Sequence, residues 1–202
     1  MSFYSELSSW WAPAHPLPLG KIPLVGEEAP HSPNLPLSTG QPAIVVFLRH
    51  CGCPFAEKTF LNLRQIARAN RHLDVVVVSH SDEAATNTWL NSLPQAGSES
   101  SNLRVVVDDK LEAYAQWGLG SATYWHVLNP WTLYEVARLR TEEGIMNRPT
   151  ESGSRWQRSG FFAVDGKGIV RWGRAADRAN DIPDFEEAAK ALEYGMNAGG
   201  KE

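Results

Sequence analysis

The sequence predicts an α/β domain: a mixed central sheet flanked by helices, with a proline-rich arm in front and a helical insertion before a terminal β-hairpin. Three observations carry that prediction. Short apolar runs rich in Val, at 43–48, 73–79 and 103–107, have the composition of strands buried on both faces. Segments with apolar residues at helical spacing alternate with them. Near the end, two further apolar runs are joined by Asp165-Gly166-Lys167-Gly168, and a Gly-containing connection of that length favours an antiparallel hairpin.

Each element has a local reason. Residues 1–40 carry seven of the prolines and read as an extended arm with turns, since Pro fixes φ and lacks a backbone donor. Trp10 and Trp11 on that arm are expected to pack against the body. The main domain is expected over 41–195. Its first strand is Ala43–Leu48, and a helix opens at Pro54 with Phe55, Phe60, Leu63, Ile66 and Ala67 as its apolar residues. Leu73–Ser79 is the second strand, and Ser81–Leu93 the second helix, with Ser81 as N-cap. After a Ser/Gly-rich loop, Leu103–Val107 is the third strand. Leu111–Trp117 is a short helix that Gly118 stops. Residues 119–158 break the alternation and form the insertion, where Asn129-Pro130 starts a helix continuing through Leu133, Val136, Ala137 and Leu139. The hairpin follows as Gly160–Val164 and Ile169–Trp172. Asp181 or Asp184 then caps a last helix through Leu192, with Gly195 beyond it and a polar tail over 196–202.

Composition excludes several function classes. With 202 residues, 43% hydrophobic and 21% charged, the chain can bury an ordinary core without staples. A net charge of −4 gives no reason to expect nucleic acid or an anionic membrane surface as partner. No apolar run approaches the ~20 residues of a membrane span. The first residues lack the basic start and apolar block of a secretory leader, so the cytoplasm is the expected location. No cofactor is expected, and Asp165-Gly166-Lys167-Gly168 reads as a turn rather than a phosphate loop.

Chemistry concentrates at Arg49-His50-Cys51-Gly52-Cys53-Pro54, where the first strand meets the first helix. Pro54 at the first helical position places Cys53 at the N-cap, near the positive end of the helix dipole, which favours thiolate over thiol. Cys53 is therefore the expected nucleophile and Cys51 the weaker thiol. Arg49 and His50 can each add positive charge. Gly52 eases the backbone of a Cys-Gly-Cys ring, whose strained disulfide would be readily reduced. The competing readings are two inert buried cysteines, two unrelated thiols, and a metal site that would need His50 with both sulfurs; no second ligand pair at usable spacing supports the last.

Val25-Gly26-Glu27-Glu28-Ala29-Pro30 followed by Gly40-Gln41-Pro42 resembles the opening of the AhpC/TSA peroxiredoxin group. Val46-Phe47-Leu48-Arg49-His50, ending three residues on at Cys53, is similar to the strand-to-helix junction of its peroxiredoxin-like 2, AAED-type branch. Val105 to Asp108 with Tyr114 and Trp117-Gly118-Leu119, and Gly160 to Arg171, resemble that group's later segments, so the resemblance covers most of 24–195. It implies a thioredoxin-like fold and a thiol oxidoreductase acting on a peroxide or disulfide. Three departures bear on mechanism. The branch's second cysteine is Ala56 here, His50 stands where true peroxiredoxins place Thr or Ser, and Arg158 lies one residue off the family's arginine. The cis-proline of thioredoxins is missing from Gln157-Arg158-Ser159-Gly160.

The expected catalytic set is therefore Cys53, Cys51, Arg49, His50 and Arg158, with Pro54, Phe55, Trp125, His126 and Trp131 facing a small-molecule substrate. An external thiol reductant and a homodimer are compatible with this reading. The alternatives are a thioredoxin-fold enzyme tailored to an organic metabolite without net redox change, and a redox-silent adaptor using the Trp10-Trp11 arm. His80 and Asp82 follow a strand end where ligands often bind, but a polar strand end and a helix cap explain them more readily.

Overall fold

The computed structural model describes residues 17–37, 39–123, 130–149 and 152–198. Five strands form one sheet: β1 (Ala43–Phe47), β2 (Asp74–Ser79), β3 (Leu103–Val107), β4 (Gly160–Val164) and β5 (Val170–Ala175), in the spatial order β3-β2-β1-β4-β5. The first three run parallel, and β4 and β5 add antiparallel on the other side of β1. Among the described residues five helices accompany them: α1 (Pro54–Ala69), α2 (Glu83–Ser92), α3 (Glu112–Gln116), α4 (Pro130–Glu143) and α5 (Phe185–Ala198).

Central position explains the unbroken apolar character of β1: all five of its residues are buried. Alternate side chains enter different cores. Ile44, Val46 and Leu48 join Phe60, Leu63 and Ile66 of α1, Trp89 of α2 and Phe185 of α5. Val45 and Phe47 point the other way, onto Tyr114 and Trp117 around α3 and Phe162 of β4. Each such fully buried side chain contributes about 1.5–3 kcal/mol of transfer free energy.

Several boundaries shift from their expected places, each for a local reason. Asp82, not Ser81, caps α2, its Oδ1 accepting from the Ala85 amide at 2.8 Å. Ser81 is buried and its Oγ instead accepts from the Cys51 amide at 3.3 Å. Asp184 accepts from Glu186 N at the start of α5, whereas Asp181 pairs with Arg174. Gly195 does not end α5, which continues to Ala198. β5 runs on to Ala175, and Ile169 forms an isolated bridge to Glu28 of the preceding arm. Gly118 stops α3 as expected, with φ at +70°. The described part of the arm packs on the body: Gly26 N donates to Val170 O, Gly20 N to Ala115 O, and Leu35 is buried. Trp10 and Trp11 lie outside the described residues.

Gly173 marks the tightest approach between β4 and β5. Its φ is +141°, and a Cβ there would stand 2.4 Å from the Phe161 carbonyl oxygen and 2.7 Å from Phe162 Cα. Gly173→Ala is expected to lower stability by about 2–3 kcal/mol, because both obstacles are backbone, as checked by urea denaturation.

Candidate functional site

The carboxyl ends of β1 and β2, at the edge where open α/β sheets tend to bind ligands, meet at the cysteine turn. β1 delivers Leu48 to Cys53, and β2 delivers Ser79, His80 and Ser81. The Tyr114 hydroxyl ties the two ends together, donating to Leu48 O (2.6 Å) and lying 3.0 Å from Val78 O. Cys53 is the N-cap of α1 (φ −74°, ψ 127°), with Pro54 behind it. Its carbonyl accepts from the Ala56 and Glu57 amides, and its own amide donates to His50 O. Gly52 has φ +118°, a conformation that favours glycine. Both sulfurs are free thiols, each on a residue 5% exposed.

The two sulfurs have different surroundings. Cys51 Sγ lies 3.4 Å from Ser79 Oγ and 3.8 Å from Thr86 Oγ1, and those two hydroxyls are 2.9 Å apart. Cys51 also borders a cavity of about 260 Å³. α2 supplies one wall through Ala85, Thr88, Trp89 and Ser92, and the segment after α4 supplies Arg148 and Pro149. Cys53 does not line this cavity.

Arg148 holds that segment in place. Its amide donates to Gly52 O at 2.9 Å, and its guanidinium forks onto the buried Glu57 of α1, at 2.9 and 3.2 Å. The pairing raises the Arg148 pKa further, its hydrogen bond to Glu57 being the largest cause. One residue thus grips both the cysteine turn and the first turn of the helix.

Arg49 is 4% exposed. Its Nη2 donates to Arg155 O at 2.7 Å, while Nε and Nη1 meet no hydrogen-bond partner among the described residues. It lines a second, small cavity of about 10 Å³ with Phe55, Thr59 and Ser159, room for one water-sized group. His50 corrects the expectation that it adds positive charge. Burial, reinforced by Arg49, Arg155 and His80, holds its pKa well below the ordinary value, so the ring is neutral near pH 7. Burial likewise lowers His80 to about 4. Its Nε2 lies 3.1 Å from both the amide and the carbonyl of Ser154, and its ring packs edge-on to Tyr114.

The other expected residues are dispersed. Pro54 and Phe55 are buried at the start of α1, and Phe55 faces the Arg49 cavity rather than the larger one. Arg158 spends its Nε on Ala176 O (2.8 Å) and lines neither cavity. Trp131 is 68% exposed on α4, away from both cavities, so it does not serve as a wall of either. Trp125 and His126 lie outside the described residues. Sequence reasoning missed Ser79, Thr86, Glu57 and Arg148. Only Glu57 carried a local signal: an acidic residue three positions before Phe60, on a helix face that must be buried.

No protein-family model matches the chain, and no curated protein matches it in sequence. Solved structures do resemble it. A thiol peroxidase from Chromobacterium violaceum is 14% identical, over 92% of this chain and 92% of that one, with a TM-score of 0.57. A peroxiredoxin-like protein from Aquifex aeolicus is 14% identical, over 90% and 91%, at 0.56. Peroxiredoxin 6 of Arenicola marina, as a cysteine-to-serine mutant, is 10% identical, over 81% and 64%, at 0.54. The fold is thioredoxin-like, as the sequence resemblance implied.

Removing Arg148 strands a buried carboxylate. Arg148→Ala is expected to cost about 2–3 kcal/mol in denaturant melts, less than a fully buried pair would, because Arg148 is one-third exposed. The histidines predict a pH dependence. The unfolded chain takes up a proton on His80 near pH 6.5, and the folded protein resists it until about 4. Stability is therefore full above 6.5 and declines as pH falls from 6.5 towards 4, by roughly 3 kcal/mol for this group. Thermal melts between pH 7 and 4 should show that slope, with buried His50 adding to it, and His80→Gln should reduce it without abolishing it.

Proposed function

We propose that this protein is a thiol-dependent oxidoreductase of peroxiredoxin-like type, with Cys53 as the attacking sulfur and Cys51 as the sulfur that closes the cycle. One observation carries the reading: two free thiols flank Gly52 at the mouth of a 16-residue helix, just after a buried arginine with two nitrogens unpartnered among the described residues. Cys53 acts as its thiolate. That thiolate attacks one oxygen of a hydroperoxide, the O–O bond breaks, and Cys53 sulfenic acid forms as an alkoxide or hydroxide departs and takes a proton from water. The Arg49 N–H groups suit the negative charge that builds on the departing oxygen. His50 and His80, held neutral, leave that charge to the guanidinium. The Cys51 thiol then attacks the Cys53 sulfur, releasing water and leaving a Cys51–Cys53 disulfide. Two equivalents of an external thiol restore both sulfurs and leave as their own disulfide.

Cys53→Ser is expected to abolish hydrogen peroxide consumption. Cys51→Ser should keep the first turnover, accumulate sulfenic acid on Cys53 and alter the dependence on added thiol. Arg49→Gln should slow the first turnover roughly 10²- to 10³-fold, the usual effect of losing one preorganised donor. Intact mass after limiting peroxide should fall by two hydrogens in the parent protein. Peroxide turnover by Cys53→Ser protein at the parental rate would sink the proposal.

A further inference from the structure

We infer that the cavity beside Cys51 is a binding site for a small, uncharged, largely apolar organic thiol and its disulfide, and that Cys51 alone exchanges electrons with it. The inference deepens the proposed function: it assigns the reductant class and the sulfur that meets it.

Two features support the assignment. The cavity, about 260 Å³, holds a one-ring organic molecule and far exceeds what hydrogen peroxide needs. Ala85, Trp89 and Pro149 make its surface mainly apolar, and Arg148, the one cation lining it among the described residues, is already neutralised by Glu57. An anionic peptide thiol therefore finds no free charge to bind there.

The two sulfurs then divide the work by position. In the oxidised protein the incoming thiolate can reach the cavity-side sulfur, Cys51. Its attack forms a mixed disulfide with Cys51 and expels Cys53 as thiolate. The sulfur that leaves belongs to the N-cap residue of α1 and does not line the cavity. A second thiolate attacks the ligand sulfur of the mixed disulfide, releasing the organic disulfide and Cys51 thiolate. Ser79 and Thr86 hydroxyls, already 3.4 and 3.8 Å from Cys51 Sγ, can donate to that thiolate.

The reverse direction tests the site without any peroxide step. Reduced protein is mixed with 4,4′-dithiodipyridine, a neutral aromatic disulfide, and release of thiopyridone is followed by absorbance. Attack by a cysteine thiolate breaks the probe's S–S bond, forms a protein–pyridyl mixed disulfide and releases one thiopyridone. In Cys53→Ser protein the pyridyl label should form on Cys51 at least ten-fold faster than it forms on Cys53 in Cys51→Ser protein. Thr88→Trp and Ser92→Trp, two exposed rim positions one turn apart on α2, should each slow labelling of Cys51 about ten-fold. Both should leave the first peroxide turnover at Cys53 unchanged. Faster labelling of Cys53, or parental Cys51 labelling in both tryptophan variants, overturns the inference. A protein that labels as described yet ignores peroxide keeps this site and loses the peroxidase reading.

Discussion

A carboxylate buried in the first turn of α1 has to be paired, and the pairing of Glu57 shapes everything around the cysteines. An ionised Glu inside a core is costly unless a cation meets it with good geometry. Arg148 does so with a two-pronged contact, although it comes from 91 residues away along the chain. Its backbone amide also satisfies the Gly52 carbonyl. The segment after α4 is thereby laid across the cysteine turn, and the larger cavity exists because Arg148 and Pro149 stand opposite α2.

The same edge of the sheet sorts charge. Arg49 and Arg155 bring two buried guanidinium groups close to the turn, while burial keeps both His50 and His80 neutral. The neighbouring arginines add to that depression, since a protonated ring beside them would be repelled. Positive charge at the site is thus permanent rather than switched by pH near neutrality. The hydroxyls gather elsewhere, around Cys51. The result is two chemically distinct sides: a guanidinium at the strand preceding the turn, and a hydroxyl-lined sulfur facing an apolar cavity.

Much of the architecture was legible because its causes are local. β-Branched runs specified the three parallel strands, Pro54 specified the start of α1, and Asp165 to Gly168 specified the hairpin. Errors arose where two residues competed for one role. Ser81 and Asp82 are both good caps, and only the proximity of Ser81 to the Cys51 amide shows why Asp82 takes the helix. Trp131 resembled a pocket wall because it is a large aromatic in an unusual insertion, but α4 turns it to solvent.

The sequence alone determined that two thiols sit at a strand-to-helix junction and that Cys53 caps the helix, since the proline that enforces this is the adjacent residue. Tertiary structure decided which sulfur borders a cavity, which hydroxyls surround it, and which arginine guards the turn. Those contacts join residues 28 to 96 positions apart, from Cys51 with Ser79 to Gly52 with Arg148. Pairings over such distances follow from how the sheet and insertion close around the core, and no periodicity or local propensity records them.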